Sequence, residues 1–219
     1  MIDWNKIDSV FLDMDGTLLD LHFDNYFWRE FVPERYAGMH GLDPAEAKEI
    51  LFPKFRRMEG TMDWYCVDYW SRELGLDIAE MKQEIRHLIR IRPKTVAFLD
   101  FLKQKGHRLV LVTNAHQKSL ALKMEITQLQ GHFDRLVCAH TIGVPKENLL
   151  FWDRLKQIEN FTNESTLLVD DSTAVLESAR EYGIKYLLAI AWPDSKAEKR
   201  EIAGFDSIHC FSELLQADA

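Results

Sequence analysis

Three short apolar runs in this chain each break off into polar residues, and that pattern limits the fold more than any other feature. Ser9-Val10-Phe11-Leu12 runs into Asp13-Met14-Asp15-Gly16-Thr17, Arg108-Leu109-Val110-Leu111-Val112 into Thr113-Asn114, and Thr166-Leu167-Leu168-Val169 into Asp170-Asp171. Apolar runs without alternation are strands buried on both faces, as in parallel sheets covered by helices. A further run spans Lys185 to Ile190, ahead of Trp192-Pro193, and a weaker one spans Leu136 to Ala139. Helical patterns lie between them: Thr95 to Lys105 stopping at Gly106, Gln117 to Gln130 stopping at Gly131, and Ser172 to Tyr182 stopping at Gly183, with Ser172 as N-cap. Strands alternating with helices predict βαβ units, whose ligands bind at the carboxyl ends of the strands.

Residues 20–91 break this rhythm. They carry no clear strand, and their segments read as helices over about Asp24 to Tyr36, Pro44 to Arg57, Asp63 to Leu74 and Ile78 to Arg90. Twelve of the 25 aromatic residues fall in these 72 positions, which marks a separate apolar assembly rather than a loop. The expected architecture is α/β: a Rossmann-like doubly wound parallel sheet formed by residues 1–19 and 92–219, with an all-helical cap domain, 20–91, inserted after Thr17-Leu18-Leu19 and returning near Arg92-Pro93. A length of 219 residues suits one large core and one small insert.

Charge and cysteine usage narrow the partners. With 27 Lys and Arg against 35 Asp and Glu, the net charge is −8, a poor match for nucleic acid polymers or an anionic membrane surface. Cys66, Cys138 and Cys210 form no CxxC pair and no even framework, so they read as reduced, buried or idle thiols. No apolar stretch is long enough to span a membrane, and Met1-Ile2-Asp3-Trp4-Asn5 does not open a secretory signal, so the expected location is the cytoplasm.

The strand ends carry the chemistry. A plain turn explains Asp15-Gly16, but not Asp13 at the end of a buried strand, where an unpaired charge is costly. Asp170-Asp171, read alone, serves equally as the acidic start of a helix. Together the two pairs point to a hard divalent cation such as Mg²⁺. Thr113-Asn114, a hydroxyl and an amide before a helix start, suits a phosphoryl oxygen, although a capped turn would read the same. Lys146 alone would be a surface lysine, and its claim rests on the pattern around it. Four carboxylates, one Mg²⁺ and Lys146 still leave a negative charge before any phosphate arrives. One carboxyl, most naturally Asp15 as a general acid, is therefore expected to be protonated.

These residues resemble, in order, the four motifs of the haloacid-dehalogenase-like hydrolase superfamily: Asp13-x-Asp15-Gly16-Thr17, Thr113-Asn114, Lys146 and Asp170-Asp171. Within it the chain looks closest to bacterial GMP/IMP nucleotidases, on the stretches Phe11 to Leu21, Phe23 to Trp28, Asp63 to Trp70, Thr113-Asn114-Ala115-His116 and Pro145-Lys146-Glu147. One departure is an Asp-Asp-Ser fourth motif in place of Gly-Asp followed by a later acid. The resemblance implies an Mg²⁺-dependent phosphomonoesterase with Asp13 as nucleophile and Asp15 as acid and base. Mg²⁺ would be held by the Asp13 carboxylate, the Asp15 backbone carbonyl and Asp171, with Asp170 bound directly or through water. Thr113, Asn114 and Lys146 would hold the phosphoryl oxygens.

The implied partner is a small phosphorylated substrate, a purine nucleoside monophosphate. Tyr26, Trp28, Trp64, Tyr65 and Trp70 are candidate stacking faces, although Trp64, Val67 and Trp70 recur at the spacing of an internal helix face. Asn25, Lys54, Arg56 and Arg57 are candidate donors to a purine 6-oxo group or a ribose, or else solvated side chains. His116, near the site, reads as a helix-start residue, with a substrate contact as the alternative. The alternatives are a sugar-phosphate phosphatase or phosphomutase, and a non-catalytic binding protein on the same fold, which the presence of both Asp13 and Asp15 argues against.

Overall fold

The computed structural model describes residues 2–215. After a 3₁₀ turn at Trp4–Lys6, strand β1 runs over Ser9–Leu12. The chain then forms helices α1 (His22–Tyr26), α2 (Val32–His40), α3 (Pro44–Met58), α4 (Met62–Tyr65), α5 (Val67–Leu74) and α6 (Ile78–Glu84). The alternation resumes with α7 (Thr95–Gln104), β2 (Arg108–Thr113), α8 (Gln117–Thr127), β3 (Arg135–Cys138), α9 (Ala139–Ile142) and α10 (Leu149–Ile158). It ends with β4 (Thr166–Asp170), α11 (Thr173–Tyr182), β5 (Tyr186–Ile190), β6 (Asp206–Ile208) and α12 (Ser212–Leu215).

The six strands form one parallel sheet in the order β3-β2-β1-β4-β5-β6. Alternate residues of each strand enter different cores. Val10, Leu12, Leu111 and Val169 pack with Phe98, Leu99 and Leu102 on one face. Phe11, Val110, Val112 and Leu168 pack with Phe151, Trp152 and Leu176 on the other. Burial on both faces is why these strands read as unbroken apolar runs.

Register sets the functional edge. Leu12 lies opposite Leu111 and Val169, so the residues that follow, Asp13, Val112-Thr113 and Asp170, emerge side by side. The Asp13 N–H donates to the Val169 carbonyl at 3.0 Å and carries the pairing one residue past β1. The outgoing and returning passages of the helical segment also lie against each other: Arg92 N–H donates to Leu18 O at 3.0 Å and Asp20 N–H to Arg90 O at 2.9 Å.

Some elements differ from expectation. Helix α8 stops at Thr127, because Gln128 turns left-handed with φ 56°, and not at Gly131. The first helix of the insert is composite: its pitch widens to a π turn over Phe27–Phe31, just before Pro33, which has no N–H to donate to the preceding turn. The segment read as one helix over Asp63 to Leu74 is two, parted at Cys66, whose backbone is extended and whose Sγ caps α5 by accepting from the Tyr69 N–H at 3.4 Å. Strand β6 carries no apolar run in the sequence, because it is three residues long and buries only Ile208. No helix among the described residues is long and apolar enough to cross a membrane.

Candidate active site

The strand ends converge on one buried ammonium group. Lys146 Nζ lies 2.5 Å from Asp13 Oδ1 and 2.7 Å from Asp170 Oδ2, and donates to the Val112 carbonyl at 3.1 Å. Burial works against this ammonium, but the two carboxylates outweigh it and raise its pKa above the ordinary lysine value. The backbone beside it is fixed by Asn114, whose Oδ1 accepts from Lys146 N–H at 2.9 Å. The Asn114 amide donates to Glu147 Oε2 at 2.9 Å, and Glu147 Oε1 accepts from the Tyr65 hydroxyl at 2.6 Å. This chain of bonds ties α4 of the helical segment to the end of β2. Thr113 is buried, and its Oγ1 accepts from Ala115 N–H at 3.0 Å.

Asp13, Asp170 and Asp171 bring carboxylate oxygens within 4.8 Å of one another. Burial raises the Asp13 pKa to about 7, with Lys146 pulling it down and Asp170 pushing it up. Burial also lifts Asp170, and lifts Asp171 well above the carboxylate range with added push from Asp13 and Asp170. Arg200 lies 3.6 Å from Asp171 Oδ2, a partial counterweight. Three hard oxygen donors, crowded and short of positive charge, fit a small divalent cation such as Mg²⁺. Gly16 permits the crowding. Its φ is +90°, and a Cβ there would stand 2.6 Å from the Asp171 carboxyl carbon.

The Asp15 carboxylate stands outside that trio. Its Oδ1 is 2.7 Å from Lys123 Nζ, which also lies 2.6 Å from Asp24 Oδ2; Asp24 Oδ1 in turn meets Lys82 Nζ at 2.8 Å. Burial raises Asp15 to about 6 against the pull of Lys123, with Asp24 and Asp13 adding to the rise. Desolvation pushes half-buried Asp24 up as well, but its two lysines outweigh it and hold it below the usual carboxylate range. The Lys123-Asp24-Lys82 chain was not singled out in the sequence. Its signal was Lys123 inside Leu122-Lys123-Met124, all three buried on α8.

A cavity of about 630 Å³ opens over these groups. Asp13, Asp15, Thr113, Asn114, Lys146, Asp170 and Asp171 all line its floor. Trp28, Phe52, Phe55, Trp64 and Tyr65 line it from the helical segment, joined by Asn25, Arg29 and Arg56. Trp70 is buried behind Trp64 and Phe55, and Tyr26 packs on Phe31 and His22, so neither reaches the cavity wall. Lys54 pairs with Glu73 at 3.0 Å, and Arg57 is exposed away from the lining. The Asn25 amide donates to Asp194 at 2.7 Å. His116 does cap α8, accepting from Lys118 N–H, and also lines the cavity.

Comparison with known proteins shows the family. The family model "haloacid dehalogenase-like hydrolase" matches residues 7–183. The GMP/IMP nucleotidase YrfG of Escherichia coli (strain K12) is 42% identical over 214 residues, covering 98% of this chain and 96% of that protein. A phosphoglycolate phosphatase of Aquifex aeolicus is 30% identical over 192 residues, covering 86% of this chain and 82% of that protein. Among solved structures, a HAD phosphatase from Thermococcus onnurineus superposes with a TM-score of 0.77 at 21% identity, covering 96% of this chain and 97% of that one.

Proposed function

The chain belongs to the haloacid dehalogenase-like hydrolase family, and on that premise we propose that it is an Mg²⁺-dependent 5′-nucleotidase acting on purine nucleoside monophosphates, GMP and IMP first. The observation that carries the reading is the cavity: aromatic faces of the helical segment stand across from the Asp13 and Asp15 pair, in a volume of about 630 Å³ suited to a nucleotide. The 42% identity with a GMP/IMP nucleotidase supports the same substrate class.

Each residue then has a task. The Asp13 carboxylate attacks phosphorus, an acyl phosphate forms on Asp13 and the bond between phosphorus and the leaving ribose oxygen breaks. Asp15 gives its proton to that oxygen. It next takes a proton from the water that displaces phosphate from Asp13, so the Asp13 carboxylate and the protonated Asp15 are restored and inorganic phosphate leaves. A pKa near 6 suits both halves of this exchange. Lys146 places a fixed positive charge beside Asp13, and Asn114 anchors the loop that carries Lys146. Asp13, Asp170 and Asp171 would hold Mg²⁺, which supplies charge neutralisation at the phosphoryl group. Residues 20–91 act as the cap: Trp28, Trp64 and Phe55 exclude water and face the base, and Arg56 is the donor to its 6-oxo oxygen.

The test is phosphate release with Mg²⁺ from GMP, IMP, AMP, CMP, UMP, glucose phosphates and an aryl phosphate. GMP and IMP well ahead of AMP is the expected result. A sugar phosphate in front would overturn the substrate and leave the chemistry standing, and no release from any ester would overturn both.

A further inference from the structure

Cys66, His116 and His140 lie outside the carboxylate trio, yet they gather ligand atoms within 4.8 Å of one another. They come from three different elements: Cys66 from the α4–α5 junction, His116 from the start of α8, and His140 from α9. The two imidazole rings meet edge to face with centroids 4.6 Å apart. We propose that this cluster is a second cation site, for a borderline-soft divalent ion of the zinc type, joining the helical insert to the sheet domain.

The donor set makes the choice of metal. One thiolate and two imidazoles suit Zn²⁺ and its near neighbours, whereas Mg²⁺ takes oxygen donors. The two sites therefore divide the cations between them by donor type. His140 supplies the second observation. Both of its ring nitrogens are shielded from solvent and neither meets a hydrogen-bond partner among the described residues. A polar ring left in that state costs free energy unless a ligand engages it. Asp68 adds negative charge nearby, with Oδ2 3.8 Å from His116 Nε2, although Lys118 shares that carboxylate at 2.6 Å.

Zinc bonds of about 2.0–2.3 Å place tetrahedral donors roughly 3.5 Å apart, a separation that donor atoms within 4.8 Å of one another reach by a small inward movement of their side chains. Binding releases the Cys66 thiol proton to solvent. At His116 the metal takes Nε2, the ring proton moves to Nδ1, and the long 3.3 Å bond from Lys118 N–H is given up. Three protein donors leave the fourth position to solvent. Cys66 adjoins Tyr65 and His116 lines the cavity, so a bound ion would fix the insert against the sheet beside the substrate.

Cobalt reports this site directly, because a thiolate bound to Co²⁺ gives a sulfur-to-metal charge-transfer band that carboxylates cannot give. Full-length protein saturated with Mg²⁺ is titrated with Co²⁺, then with Zn²⁺ in competition. The expected result is one cobalt per chain with a sulfur band, bleached by Zn²⁺ and absent from both Cys66→Ser and His140→Gln. Phosphate release by the two variants with Mg²⁺ alone shows that they are folded. No sulfur band in the unaltered protein, or a band that survives Cys66→Ser, overturns the proposal.

Discussion

Lys123 Nζ stands 2.7 Å from Asp15 Oδ1, a buried ammonium against a half-buried carboxylate where the helical insert meets the end of β1. The ammonium does two things there. It fixes the direction of the Asp15 carboxylate, and it holds down a pKa that burial would otherwise carry higher than about 6. Asp24, on the far side, keeps Lys123 charged and is itself balanced by Lys82. Lys123→Met should therefore lower kcat by roughly a hundredfold to a thousandfold with a smaller change in KM, within the range of general acid–base assistance. Removing the positive charge raises the Asp15 pKa, so the acid limb of kcat, where Asp15 must accept a proton from water, moves to higher pH. Lys123→Arg should recover the position of that limb better than it recovers the rate. A limb that stays in place would show that Lys123 serves packing alone.

Gly16 and Asp171 make a second linked pair. With φ at +90° and the Asp171 carboxyl carbon 2.6 Å from where a Cβ would sit, Gly16→Ala carries both backbone strain and a clash. The strain costs about 1–3 kcal/mol, visible as a lower melting temperature. The clash pushes Asp171 out of the carboxylate trio, and Mg²⁺ affinity should fall by roughly ten- to a hundredfold, as for other displaced ligand shells. Calorimetric titration with Mg²⁺ separates the two effects. Unchanged affinity in a destabilised variant would mean that Asp171 does not contact the ion.

Stability should depend on pH and Mg²⁺ together. Burial raises Asp13 to about 7, against about 3.9 in an unfolded chain, and raises Asp170 and Asp171 as well. A folded-state pKa above the unfolded value means the folded protein holds the proton more tightly. That contribution is complete below about pH 4 and is lost as pH rises through about 7. Metal-free protein should therefore melt at a lower temperature at pH 8 than at pH 5.5. Mg²⁺ binds the deprotonated trio, so the gain on adding it should be larger at pH 8. Asp24, held low by its two lysines, is ionised throughout this window and adds no slope. Equal gains at both pH values would count against a carboxylate metal site.

The parts of this site that could be read from the chain are those built from periodicity and punctuation. Asp13, Thr113, Asn114, Asp170 and Asp171 each follow an apolar run, and a parallel sheet brings such run ends together whatever lies between them. Lys146 precedes no strand and was legible only through its resemblance to a motif. Lys123 and Lys82 were not legible, because a lysine on a helix normally reads as a solvated face. Only the fold shows that Asp24, a hundred positions from Lys123, turns that face inward. The Cys66, His116 and His140 cluster was hidden for the same reason: its members come from three elements, and no spacing along the chain connects them. Trp70 shows the converse. Its helical spacing with Trp64 and Val67 favoured an internal face, and the ring is buried behind Trp64, donating from Nε1 to the Trp64 carbonyl at 2.9 Å.

Specificity should rest on Arg56. Of the four donors considered for the base, Lys54 is committed to Glu73, Arg57 faces away from the cavity, and the Asn25 amide already donates to Asp194. Arg56, in the last turn of α3, lines the cavity beside Phe52 and Phe55 and, among the described residues, meets no ion-pair or hydrogen-bond partner that would hold it elsewhere. GMP and IMP carry a 6-oxo acceptor, whereas AMP presents an amino donor that a guanidinium would oppose. Arg56→Ala should therefore lower kcat/KM for GMP and IMP by roughly ten- to a hundredfold, the loss of one charge-assisted hydrogen bond of about 1.5–3 kcal/mol. For AMP the same change removes an opposed donor, so its kcat/KM should hold or rise, and the GMP-to-AMP ratio is the readout. Lys54→Ala is the control, expected to leave that ratio unchanged. Equal losses for GMP and AMP would place Arg56 on the ribose or phosphate rather than on the base, and would move the search for the base-reading group to Arg29.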